Sequence, residues 1–191
     1  MKKIPTMFER DWVGGKPQNI LDKIKPGCEW VAEGEGLPTK KIDGTSCLVR
    51  GGVMYKRREL VKNAAVPEGF EEVDFDQETG KTIGWVPVGA GPEDKWHREA
   101  YNPCLEAGTY ELVGPMVQGN PENQPTHRLI GHKSKELIIK EPVPRTFDGL
   151  KEWFQERDIE GIVFQHKDGR MAKIKLRDFG IKRKKITVAQ G

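Results

Sequence analysis

Short runs in which apolar and polar residues alternate recur along the chain and predict β-strands. Residues 46–50 and 53–57 flank Gly51 and Gly52, and two β-prone runs around two turn-forming residues predict a hairpin. The alternation in residues 109–114 places Glu111 on the strand face opposite Tyr110 and Leu112. Further strands are predicted over residues 127–130 and 136–139.

A second hairpin is predicted near the carboxyl end. Residues 160–164 and 172–176 flank a turn with Asp168 and Gly169 at its tip. In the second of these strands, Lys173 and Lys175 share one face and apolar residues occupy the other.

The clearest helix is predicted over residues 148–157, with Asp148 as its N-cap. Leu150, Trp153 and Phe154 have the i, i+3, i+4 spacing of an apolar helix face, and Arg157 follows at i+7. This face is expected to pack on a sheet.

Two other parts of the chain give weaker patterns. Residues 19–24 fit one short helix and residues 29–32 fit a strand. Residues 59–108 are rich in Gly and Pro and are expected to be largely irregular. Within them, three acidic residues suggest either a metal-binding loop or, as we favour, a hairpin turn whose acidic residues face solvent: Asp74, Asp76 and Glu78.

Composition limits the class of protein. With 191 residues, 36% of them hydrophobic and 32% charged, the chain suits one globular domain with a core that needs no disulfides. No apolar run approaches the length of a membrane span, and the amino terminus lacks a secretory signal, so we expect a cytoplasmic protein. Three widely spaced cysteines suggest neither a disulfide framework nor a zinc site.

The net charge is only +3, but positive charge is concentrated in residues 55–58 and 182–185. Such blocks either contact phosphate backbones or form solvated faces.

The motif that organises the chain is Lys41-Ile42-Asp43-Gly44, which reads Lys-x-Asp-Gly. In covalent nucleotidyltransferases such a lysine attacks the α-phosphate of a nucleoside triphosphate. Four residues with one wildcard are a weak signal, and the alternative interpretation is a surface turn at a strand end. The order of the residues that follow decides between the two.

Downstream of Lys41 come an arginine after the first hairpin, then Glu111, the run Glu160-Gly161-Ile162-Val163-Phe164, and Lys173-x-Lys175. In this order the motifs resemble those of the ATP-dependent ligases and mRNA capping enzymes. The chain is most similar to the RNA ligases, and among them to the small group that includes the vertebrate 5′–3′ RNA ligase. The resemblance covers roughly residues 39–180.

The resemblance implies a role for each matching residue. Lys41 is the nucleophile that carries AMP, and Lys173 and Lys175 bind the α-phosphate. Glu111 binds ribose hydroxyls, and Glu160 holds the metal or the surroundings of the attacking lysine. Arg58, or its neighbour Arg57, contacts ribose or phosphate. Asp43 organises the lysine loop and acts in sealing, and Ile162 covers one face of the base.

Two features depart from the family pattern. Many relatives have a glutamate one or two residues before the nucleophile, where this chain has Thr39 and Lys40. The aromatic residue that stacks on adenine is also not identified, and the candidates are Trp85, Trp96 and Phe147.

We therefore predict an α+β fold of antiparallel β-sheets with flanking helices. Residues 1–191 are expected to form one nucleotidyltransferase domain without an appended OB-fold. The expected activity is that of a monomeric RNA ligase that uses ATP and Mg²⁺ or Mn²⁺ to join 5′-phosphate and 3′-hydroxyl RNA ends, with no membrane contact. The rival functions are a small DNA ligase and a non-catalytic RNA-binding module. If the prediction is right, one pocket is lined by Lys41, Glu111, Glu160, Lys173 and Lys175.

Overall fold

The computed structural model describes residues 2–14 and 16–183, which fold as two compact units. The first unit comprises residues 2–3 and Asp43–Ser134, and the second comprises Ile4–Ile42 and residues 135–183. Lys184 and Lys185 of the predicted basic block lie outside the described residues. That residues 1–191 act as one domain stays a prediction.

An antiparallel six-stranded sheet forms the first unit, in the order β6-β7-β5-β4-β8-β9. The predicted hairpin is confirmed as β4 and β5, joined at Gly51 and Gly52, which both adopt the positive φ that this tight turn requires. The strands are β4 (Thr45–Arg50), β5 (Val53–Leu60), β6 (Glu71–Asp76), β7 (Lys81–Pro87), β8 (Gly108–Val113) and β9 (Arg128–Gly131).

The segment expected to be irregular contains regular structure. It holds β6, β7 and the short helix α2 (Lys95–Ala100), which follows a 3₁₀ turn at Pro92–Asp94. The favoured hairpin is confirmed as β6 and β7. The expectation that its acidic residues face solvent is wrong for Asp76, which is buried. Asp76 accepts hydrogen bonds from Thr79 and from Glu78 N.

One face of the first sheet is apolar and carries a buried ion pair. The core cluster consists of Cys47, Val49, Met54, Leu112 and Val117. On the same face of β5, Lys56 Nζ donates to Asp94 Oδ1 at 2.5 Å, and Asp94 Oδ2 accepts from Gly89 N at 2.7 Å. This carboxylate therefore links the sheet to the turn that precedes α2.

The second unit contains a three-stranded antiparallel sheet in the order β11-β10-β3 and a two-stranded ribbon of β1 and β2. Thr6 extends the sheet through a parallel bridge to Lys173, at the outer edge of β11. The elements are β1 (Phe8–Val13), β2 (Lys16–Ile24), α1 (Glu29–Ala32), β3 (Leu37–Lys41), α3 (Phe147–Gln155), β10 (Gly161–Gln165) and β11 (Met171–Lys175).

Helix α3 covers the apolar face of this sheet, as its spacing predicts. Leu150, Trp153 and Phe154 are buried in one core with Ile162 and Ile174. The predicted N-cap is wrong. Thr146 caps the helix instead, because its hydroxyl accepts from Gly149 N.

Three local predictions are also wrong, and tertiary contacts explain each. Residues 19–24 form part of β2, where Ile20 and Ile24 pair with β1. Residues 29–32 form α1, because burial of the adjacent Trp30 and Val31 does not suit the alternation of a strand. Residues 136–139 contain the end of a 3₁₀ turn, Lys135–Leu137, with only one isolated bridge to β3.

The fold class is confirmed as α+β with antiparallel sheets. In the part of the chain that the structure describes, no helix is long and apolar enough to cross a bilayer.

Candidate active site

The register of the second sheet places two of the predicted lysines in one row. Lys41 on β3 and Lys175 on β11 both pair with Gly161 on the central strand β10. A Cβ atom on residue 161 would lie 2.3 Å from Ile174 O and 2.9 Å from Lys175 Cα. Glycine is therefore required for the close approach of β10 to β11 between the two lysines.

Glu160, just before β10, joins these lysines through its side chain. Its Oε2 accepts a hydrogen bond from Lys41 Nζ at 2.5 Å, and its Oε1 accepts one from Lys175 Nζ at 2.6 Å. Leu176 N donates to Glu160 O at 3.0 Å and holds the backbone of this residue against the end of β11. Two ammonium groups thus share a single carboxylate.

All three side chains are largely removed from water, with exposed fractions of 21% for Lys41, 13% for Lys175 and 12% for Glu160. Burial raises the pKa of Glu160, but the charges of Lys41 and Lys175 outweigh it and hold that pKa below its ordinary value. Burial lowers the pKa of Lys175, and the Lys41 ammonium lowers it further, against the attraction of Glu160. The cluster carries one excess positive charge, as a site for an anionic group would.

The next row of the same sheet face contains Thr39, Val163 and Lys173. Thr39 is buried, and its hydroxyl donates to Val163 O at 2.8 Å. Strand alternation places Ile162 on the opposite face, where it is completely buried in the core with Phe154. Core packing therefore accounts for Ile162, and Val163 is the apolar side chain that lies between Thr39 and Lys173 on the lysine face.

Other predicted residues belong to the first unit. Glu111 on β8 is buried, and its Oε2 lies 2.9 Å from His132 Nε2. The Asp43 backbone N–H donates to Glu122 Oε1 at 3.2 Å. The loop that follows β8 therefore holds the backbone of Asp43, where the long segment of the first unit begins.

The register separates the two candidate arginines. Arg57 and Tyr55 are two residues apart on β5 and therefore lie on the same face of the sheet. Tyr55 pairs with Leu48, and Leu48 lies on the same face of β4 as Ser46. Ser46 pairs with Glu111, so Arg57 lies on the Glu111 face. Arg58 is exposed and lies on the opposite face.

The three candidate aromatic residues differ in their surroundings. Trp96 stacks on His127 with ring centroids 4.4 Å apart, and Phe147 packs edge-on against Phe8. Trp85 is buried on β7 opposite Arg57 and so lies on the Glu111 face. Trp96 and Phe147 pack against the two cores, whereas Trp85 shares the Glu111 face with Tyr55.

The predicted site residues are divided between the two units. The second unit contains Lys41, Glu160, Lys173 and Lys175, and the first contains Asp43, Arg58 and Glu111. The contacts unite Lys41, Glu160 and Lys175 directly. That all of these residues line one pocket stays a prediction.

A divalent cation suits this site only in part. Among the described residues, no group of three or more His, Cys, Asp or Glu side chains forms a metal cage. Glu160 supplies two carboxylate oxygens, both of which already accept hydrogen bonds from lysines. The donor set therefore fits Mg²⁺ held by one carboxylate together with phosphate oxygens and water, which is a common arrangement for this ion.

The sequence did not identify several residues that form hydrogen bonds with the predicted site residues or with their partners. They are His132 beside Glu111, Glu122 beside Asp43, Asp178 beside Lys175, and Arg10 beside Asp178. Only Asp178, three residues after Lys175, gives a local signal, as an acidic residue in the first turn of a helix. The other pairings connect distant segments and leave no pattern in a single sequence.

Comparison with known proteins gives two matches. The family model described as RNA ligase 1 matches residues 101–189, which include Glu111, Glu160, Lys173 and Lys175 and begin after Lys41. RNA ligase 1 of Danio rerio is 37% identical over 140 residues, covering 55% of this chain and 42% of that protein. The chain thus spans less than half the length of this relative.

The family match overlaps most of the region to which the motifs were assigned, and both matches agree with the group that the motifs indicated. The chain is similar to RNA ligase 1 of the vertebrate type, and the predicted resemblance to that group of RNA ligases is confirmed.

Proposed function

We propose that this protein is an ATP-dependent RNA ligase that works through a lysine–AMP intermediate. The observation that carries the proposal is the bridging of Lys41 and Lys175 by Glu160. An amine nucleophile, a second cation and a carboxylate are thereby held within one hydrogen-bonded cluster. The similarity to RNA ligase 1 supports the choice of RNA as the substrate.

In the first step, Lys41 Nζ attacks the α-phosphorus of ATP. A nitrogen–phosphorus bond forms, the bond to pyrophosphate breaks, and the amine loses a proton. Because a free lysine is about 99.9% protonated at neutral pH, the amine must be deprotonated and released from Glu160 before attack. The ion pair therefore keeps the nucleophile in place while it is charged.

The cations beside Lys41 favour the anionic transition state. Lys175 lies across Gly161 from Lys41, and Lys173 follows on the same face of β11. Preorganised positive groups stabilise the charge that develops on the α-phosphate and on the leaving pyrophosphate. The same α-phosphate later belongs to the adenylylated RNA end, so both lysines also act in the later steps.

In the second step AMP moves from Lys41 to the 5′-phosphate of RNA. In the third step a 3′-hydroxyl attacks that phosphate, AMP leaves, and a 3′–5′ phosphodiester forms. Asp43 belongs to the proposed machinery of this sealing step.

Strand register supports the nucleotide contacts that we propose for the first unit. Glu111 accepts hydrogen bonds from ribose hydroxyls, and His132 orients its carboxylate. Arg57 replaces Arg58 as the proposed ribose or phosphate contact, because Arg57 shares the Glu111 face. Val163 likewise replaces Ile162 as the proposed apolar cover of the base.

Glu160 would hold the Mg²⁺ or Mn²⁺ ion together with phosphate oxygens. When bound, the ion would supply positive charge that neutralises the phosphates and favours displacement of pyrophosphate. We further propose that the protein acts as a cytoplasmic monomer and prefers ATP to GTP.

The test combines labelling with joining. The full chain is incubated with α-labelled ATP or GTP, and then with single-stranded RNA or nicked DNA bearing a 5′-phosphate. We expect label from ATP and joining of RNA. Efficient sealing of nicked DNA alone would favour a DNA ligase, and absence of any covalent label would favour a non-catalytic RNA-binding module.

A further inference from the structure

A buried carboxylate with no role in the proposed reaction holds the backbone of Lys175. Asp178 lies in the 3₁₀ helix Leu176–Phe179, directly after β11, and its side chain is 2% exposed. Its Oδ2 accepts a hydrogen bond from Lys175 N at 2.9 Å. This bond fixes the strand end from which the Lys175 side chain extends to Glu160.

The other oxygen of Asp178 is bound by a residue from the amino-terminal ribbon. Arg10 Nη2 on β1 donates to Asp178 Oδ1 at 2.5 Å. Because a buried carboxylate without a cationic partner is costly, Arg10 offsets the cost of burying Asp178 and sets the orientation of its carboxylate. A continuous path of contacts thus runs from Arg10 through Asp178 to the backbone of Lys175.

The segment before the ribbon holds the other motif lysine. Lys173 N donates to Pro5 O at 2.9 Å, and Met7 N donates to Lys173 O at 2.8 Å. The backbones of Lys173 and Lys175 are therefore both fixed by groups outside the motif. Residues 5–10 bond the backbone of Lys173 directly and reach that of Lys175 through Asp178.

We propose that Asp178 is a positioning residue for Lys175, and that Arg10 acts through Asp178. The proposal rests on the proposed function, in which Lys175 binds the α-phosphate. A lysine side chain is long and flexible, so its ammonium is placed accurately only when its backbone is fixed. Misplacement of a phosphate-binding group by about 1 Å is enough to slow a reaction about 10²-fold.

The first unit offers a matched control for a purely structural role. Asp76 is also buried, pairs with Lys3 Nζ at 2.5 Å and accepts from the backbone N–H of Glu78. It thus has the same kind of partners as Asp178, but it stabilises the turn after β6. Asp76→Ala therefore reports the effect of losing a buried, ion-paired cap.

The experiment is single-turnover labelling of the full chain by α-labelled ATP over a range of ATP concentrations. The amplitude measures the active fraction, and the rate constant at saturating ATP measures how well the site is positioned. We expect Asp178→Ala to lower that rate constant at least about tenfold, with a smaller change in the half-saturating ATP concentration. Asp178→Asn retains an acceptor for Lys175 N, so it should recover most of the loss.

Asp76→Ala should lower the melting temperature and leave the rate constant unchanged. If Asp178→Ala fails to fold, Arg10→Met decides the question, and we expect it to slow labelling at least about threefold. A wild-type chain that takes no label would overturn the proposed function and this inference together. Label on the wild type with unchanged rate constants for the Asp178 and Arg10 variants would overturn this inference alone.

Discussion

Each unit of this protein contains a lysine–carboxylate contact that is largely removed from water, and the two contacts differ in their charge balance. In the first unit Lys56 pairs with Asp94, and the second carboxylate oxygen accepts from Gly89 N. In the second unit two lysines, Lys41 and Lys175, share Glu160. The first cluster is neutral as a pair, whereas the second has one excess positive charge.

The difference shows how a structural ion pair can be distinguished from a site for an anion. Distance does not separate them, because the Lys56–Asp94 and Lys41–Glu160 contacts both measure 2.5 Å. Excess charge of one sign destabilises a folded chain unless a ligand offsets it. The cluster around Glu160 therefore suits phosphate, whereas the cluster around Asp94 joins α2 to the sheet.

The largest expected effect comes from removing each carboxylate charge. Glu160→Gln should reduce both ATP labelling and the sealing of pre-adenylated RNA by more than about 10³-fold, or roughly 4 kcal/mol of transition-state stabilisation. Asp94→Asn should lower stability but leave the labelling rate per folded molecule unchanged. Equal rate losses in the two variants, normalised to the folded fraction, would contradict this distinction.

Removing one lysine from each cluster should have opposite consequences. Lys56→Met leaves Asp94 buried and unpaired, and should cost about 3–5 kcal/mol of unfolding free energy in a denaturant titration. Lys175→Met leaves Lys41 and Glu160 as a balanced pair, so stability should change by less than about 1 kcal/mol. Labelling by ATP should nevertheless fall about 10²-fold, because one phosphate-binding cation is lost.

A smaller effect is expected in acid. Since the folded pKa of Glu160 is depressed, its contribution to stability is present above the unfolded pKa and is lost as pH falls through the folded pKa. The difference in unfolding free energy between wild type and Glu160→Gln should therefore shrink as the pH falls through and below the ordinary pKa of a glutamate. A difference that stays constant from pH 7 to about pH 3 would show that Glu160 is not held charged by its lysines.

Local patterns predicted the parts of the fold whose contacts are close in sequence. The β4–β5 hairpin, the β10–β11 hairpin and helix α3 follow from turn residues and side-chain spacing. The segments β2 and α1 were mistaken because pairing with β1 and burial of adjacent residues overrode weak local preferences. Turn chemistry and periodicity contain no information about such distant partners.

The same limit applies to the site. The motif order identified Lys41, Glu160 and Lys175, and the structure brings these three together. Strand register places Arg57 on the Glu111 face and Val163 on the lysine face, which alternation along a single strand does not reveal. Arg10, which contacts Asp178 across 168 residues of sequence, has no local signature.

The central claim is that Lys41 is the nucleophile, and the most direct measurement identifies the residue that carries AMP. The wild type and Lys41→Ala are incubated with α-labelled ATP and Mg²⁺, and any adduct is located by peptide mass spectrometry. The account predicts AMP on Lys41, no label on Lys41→Ala, and retained joining of pre-adenylated RNA by that variant without ATP. Labelling of Lys41→Ala at the wild-type rate, or an adduct on the adjacent Lys40, would contradict it.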